Sequence, residues 1–133
     1  MRLYEKIMQH LDFLESLKEA TVALGQATKK EDINLIELIT DNRDRLINVI
    51  KTFQSGIEED IAKIKGASVG PELIEILKTW SNEVNEIINY VDTYDKQITS
   101  SLEAQKFETS KEIGSVFRNK NSIKNYQSSV VKG

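Results

Sequence analysis

LIEILKTWSNEVNEIINYVDTYDKQI, residues 73–98, decides the fold. Leu77, Val84, Val91 and Ile98 recur every seven residues, and Leu73, Trp80, Ile87 and Tyr94 form the interleaved set. An a/d pattern without a miss over about four heptads demands partner helices along one stripe. Glu72, Glu75, Lys78, Asn82, Glu83, Asn85, Glu86 and Asn89 lie between the stripes and suit a solvated face. Pro71 precedes the pattern, where a missing N–H costs nothing, so the helix is expected to start at Gly70 or Pro71.

Working outward, the preceding Gly66-Ala67-Ser68-Val69-Gly70-Pro71 cannot comfortably continue a helix and predicts a tight reversal. Before it runs a second seam of Ile36, Ile39, Arg43, Leu46, Ile50, Phe53, Ile57, Asp60 and Ile64, flanked by Ile33, Ile47 and Ile61. Thr28-Lys29-Lys30-Glu31 has the form of a capping box and predicts the start of that helix. Earlier still, Leu3, Ile7, Leu11, Leu14, Leu17, Ala20, Leu24 and Ala27 step by three or four along one face, with Met8 and Phe13 beside them and Gly25 as a candidate exit. Short connections imply antiparallel neighbours. The expected architecture is all-α: an antiparallel bundle of three long helices (about 2–27, 29–65 and 71–104) within a domain of residues 1–104. Residues 105–133 form a basic, weakly helical tail. Within it, a short mobile C-terminal fourth helix over about 107–126 gives way to disorder.

Composition narrows the function. The 133 residues suit one domain. No apolar run approaches the eighteen residues of a membrane span, and the charged N-terminal stretch lacks a signal peptide's apolar centre, so a cytoplasmic protein is expected. The absence of cysteine removes disulfides and thiolate chemistry. The net charge of −3 divides into about −7 before Ala104 and +4 from Ala104 onward, so the tail can dock on an acidic surface, while the acidic body disfavours nucleic acid.

An enzyme is not expected. His10 is the single histidine, too few for a metal site built on imidazoles, and neither a phosphate-binding glycine loop nor a nucleophile–base pair is present. No cofactor is expected. His10 reads as a seam-edge residue, solvated or hydrogen-bonded. Glu58-Glu59-Asp60 point in different directions on a helix and read as a solvated face. Arg43 interrupts the second seam. Either its stem packs while the guanidinium reaches a carboxylate, or it sets register or binds a partner. Trp80 and Tyr94, with Leu73 and Ile87, either fill the core or line a groove for another helix.

LIELITDNRDRLI (residues 35–47), the chain's size and acidity, its lack of cysteine, two long hairpinned helices and the tyrosine-bearing basic tail RNKNSIKNY (residues 118–126) together resemble the flagellar type III export chaperones of the FlgN/FliT type. The resemblance implies a chaperone that holds terminal helical segments of hook-associated or filament-cap proteins and delivers them to an export gate or its ATPase component. Substrate contact would fall to Arg43, Trp80, Ile87 and Tyr94, and export-gate contact to Tyr126. The rival reading is a structural coiled-coil oligomerisation or adaptor protein, with a homodimer as its simplest form.

Overall fold

A computed structural model describes residues 2–64 and 69–127, and the burial of side chains as far as residue 108. The described residues form three helices and no strand: α1 (Leu3–Lys29), α2 (Ile33–Ile64) and α3 (Pro71–Gln127). None of these helices is long and apolar enough to cross a membrane. Two compact units divide the chain, Met1–Ile98 and Thr99–Gly133.

The first unit is the three-helix bundle that the heptads require. All eight seam residues of α3, from Leu73 to Ile98, are buried or half-buried, and the eight polar residues between them are exposed. The core gathers Leu14 and Leu17 of α1, Ile50 of α2 and Ile87 and Val91 of α3, with Leu11, Phe13, Leu46, Ile47 and Val84 packed around them. Cross-links fix the directions. Lys6 reaches Asp60 at 2.7 Å, and Phe13 meets Phe53 at 5.4 Å between ring centroids. One index falls as the other rises, so α1 and α2 are antiparallel. Arg43 meets Asp95, His10 meets Trp80 and Lys18 lies over Tyr90, so α3 runs antiparallel to α2 and parallel to α1.

The α1–α2 reversal differs from the capping-box expectation. Thr28 still belongs to α1, is buried, and donates its hydroxyl to the Leu24 carbonyl at 2.8 Å. The Glu31 N–H bonds the Thr28 carbonyl and the Asp32 N–H bonds the Ala27 carbonyl. These paired bonds make a Schellman C-cap, with Glu31 in the left-handed conformation at φ 55°. The N-cap of α2 is Asp32, whose Oδ1 accepts from the Leu35 N–H at 3.1 Å. A second threonine, Thr21, satisfies its buried hydroxyl as Thr28 does, on the carbonyl four residues back.

Gly25 is not an exit. It is a buried residue inside α1, and the Tyr94 ring lies against it. Ile33, expected to flank the second seam, is 69% exposed, because α2 begins there and its first turn extends the helix rather than the core. At the start of α3, Gly70 accepts from the Ile74 N–H across the first turn, with Pro71 in the first helical position. Of the reversal before it, residues 65–68 lie outside the described ones.

The second unit is helical from Thr99 to Gln127, the C-terminal part of α3. The segment expected as a short fourth helix over 107–126 is therefore helical but not a separate element. Gly114 and the nearby Ser and Asn lower propensity without supplying a proline or glycine pair that would stop the helix. Leu102 and Phe107 are exposed. The side chains of residues 109–127, Tyr126 among them, and residues 128–133, expected to be disordered, lie outside the described ones.

Candidate functional site

The side chains singled out by the sequence are placed by three different physical demands. Arg43 sits on the buried face of α2, where a guanidinium needs a partner. Its Nη2 donates to Asp95 Oδ2 of α3 at 2.8 Å. The arginine side chain is 14% exposed and the aspartate 39%. The pair is single-pronged, for Arg43 Nε and Asp95 Oδ1 are buried without hydrogen-bond partners. Ile87 is a core residue, packed with Leu14, Leu17, Ile50 and Val91. Tyr94 is half-buried, covers Gly25 and stacks on Tyr90 at 5.9 Å.

Trp80 is in a different setting. Its indole is half-buried, and its Nε1–H donates to His10 Nδ1 at 3.0 Å. The two rings meet edge to face, with centroids 5.6 Å apart. His10 is fully buried rather than at the seam edge. Burial lowers its pKa, and the nearby Gln54 side chain opposes that shift only in part. The acidic run on α2 is less idle than expected. Asp60 bonds Lys6, which holds its carboxyl below the usual aspartate range, and Glu58 accepts from Gln54 at 3.2 Å.

Beside Trp80, α1 and α3 leave a groove of about 340 Å³ whose apolar lining includes Tyr4, Met8, Leu11, Ile76 and Trp80. Tyr4 is 57% exposed and Met8 43%. Glu75 and Glu83 stand at its rim, and Glu83 is shared with a more polar hollow that continues along the same helices past Glu15, Lys18, Glu86 and Tyr90. From Tyr4 to Lys18 the two together follow α1 for about 21 Å at 1.5 Å per residue. Four carboxylates line this track, and Lys18, its single ammonium, is laid over the Tyr90 ring at 4.6 Å.

Of the residues expected to form one binding surface, only Trp80 lines this groove's apolar part, while Ile87 borders its polar continuation. Tyr4, Met8 and Ile76 were not singled out as a site. Their signal was weak: they flank the apolar stripes, where a core-edge residue and a groove residue look alike. A second apolar hollow of about 520 Å³ lies between Ile61, Ala62 and Ile64 of α2 and Leu73, Ile74 and Leu77 of α3. Among the described residues, no group of three or more His, Cys, Asp or Glu could hold a metal ion.

Fold and groove together define an antiparallel three-helix bundle with an acidic, partly aromatic furrow between its two parallel helices. No family model, curated protein or solved structure matches the chain.

Proposed function

We propose that this chain is a non-enzymatic chaperone or adaptor that receives an amphipathic helix of another protein in the α1–α3 groove. The observation that carries the reading is the exposure of Tyr4 and Met8 over the Trp80 floor. Aromatic anchors and adaptable methionine are what helix-in-groove binding uses. The carboxylates along the rim favour an occupant with lysine or arginine beside its apolar stripe. From Val84 to Val91 the α3 seam packs against α1 and α2 of the same chain, so this part of the seam is covered while the groove beside Trp80 stays open.

In the form that the export-chaperone resemblance gives, the occupant is a terminal segment of a hook-associated or filament-cap protein, held in the cytoplasm and passed to an export gate through Tyr126. Calorimetric titration of the full chain with such segments tests this. Micromolar binding is expected, weakened about tenfold or more by Met8→Glu. Met8 is 43% exposed, so that substitution should leave thermal stability nearly unchanged. Absence of binding, together with a stable oligomer in solution, would leave the structural coiled-coil reading instead.

A further inference from the structure

His10 and Trp80 are the chain's single histidine and single tryptophan, and they are bonded to each other. Because Nδ1 accepts the indole N–H, the proton of the neutral imidazole must sit on Nε2. That Nε2 is buried and makes no close hydrogen bond, although the Gln54 side chain is near enough to favour the charged ring in part. A second proton can therefore go only to Nδ1, where it would face the indole N–H across 3.0 Å. Two donors would then oppose each other, and the acceptor that holds the indole would be gone.

Among the described residues, burial and the neutral Gln54 side chain, and no charged group, set the His10 environment. From α1, Lys6 lies one turn earlier and is paired with Asp60 of α2. From α2, the neighbour is the neutral Gln54, whose amide donates to the Glu58 carboxylate. From α3, the neighbour is Trp80 itself, with Glu83 one turn further along at the groove rim.

We propose that the His10–Trp80 hydrogen bond is an acid-released latch: it holds the indole in the floor of the α1–α3 groove, and protonation of His10 frees the indole and weakens helix binding there. The regulatory half rests on the groove reading above; the latch itself does not. Burial favours the neutral ring, so the latch is closed at neutral pH. The folded pKa is lowered, so the stability from neutral His10 is complete above the ordinary histidine value of about 6.5 and is lost as pH falls below it.

The test follows the Trp80 indole N–H resonance and fluorescence of the full chain, alongside the His10 ring protons, from about pH 8 to about pH 4.5. Both residues should titrate together with one midpoint below that of a free histidine, while far-ultraviolet circular dichroism stays constant. His10→Gln, which can accept but does not titrate in this range, should show a flat Trp80 response. Trp80 signals that ignore the His10 titration, or a transition that survives in His10→Gln, would refute the latch. So would helicity lost at the same midpoint, since the proton would then be unfolding the bundle.

The regulatory half is read with a helical segment that binds at neutral pH. Its affinity should fall about two- to tenfold on acidification, the worth of one hydrogen bond, and hold steady in His10→Gln. A latch that titrates while affinity does not change overturns regulation alone. Failure of every segment to bind at any pH overturns the groove reading and leaves the spectroscopic result for the latch standing.

Discussion

Replacing Gly25 by alanine should destabilise the bundle, although alanine is the better helix former. Gly25 lies inside α1, where the exchange by itself is worth about 1 kcal/mol in favour of alanine. A Cβ at this position would meet Tyr94 Cε1 at 2.5 Å, with Cζ at 3.2 Å and Oη at 3.1 Å. The contacts are to the body of a ring that also stacks on Tyr90, so a terminal rotation cannot relieve them. Overpacking of this kind costs about 1–3 kcal/mol, which leaves Gly25→Ala less stable by up to about 2 kcal/mol. With Tyr94→Ala in place, the obstruction is gone and Gly25→Ala should stabilise by about 1 kcal/mol. The sign reversal is the diagnostic. Urea unfolding of the four proteins, followed by circular dichroism, gives the coupling from their midpoints. An equal upward shift by Gly25→Ala in both backgrounds would show that Tyr94 does not rest on Gly25.

Two further substitutions examine how the helices are stopped and tied. Glu31→Gly removes a side chain from a left-handed position, and thermal unfolding should show a gain of about 0.5–1 kcal/mol, where the same change at the exposed helical Glu37 should show a loss. Arg43→Met keeps the packed stem but strands the Asp95 carboxylate, and should cost about 1–2 kcal/mol by urea unfolding, discounted for the aspartate's 39% exposure. Adding Asp95→Leu to Arg43→Met should recover most of that loss, as expected when both members of a poorly satisfied pair are replaced by apolar groups; a loss that deepens instead would mean the pair is net stabilising.

The sequence by itself determined the three helices and the face each one buries. The a/d positions from Leu73 to Ile98 and the stripe from Leu3 to Ala27 obey one period, and a period is a local property that backbone geometry converts directly into a face. It also gave the start of α3, because a proline at the first helical position acts on its own neighbours. Local chemistry misled at the α1–α2 reversal. Thr28 had the form of a cap, but its place on the buried face of α1 turned its hydroxyl back to Leu24 and left capping to Asp32. Tertiary structure alone decided the pairings: His10 with Trp80, Gly25 under Tyr94, and Arg43 with Asp95 rather than with the neighbouring Asp41 or Asp44. Periodicity says which face is covered but not which residue of another helix stands opposite. That depends on the relative rotation and axial register of helices far apart in sequence, which is also what leaves Tyr4 and Met8 open beside Trp80.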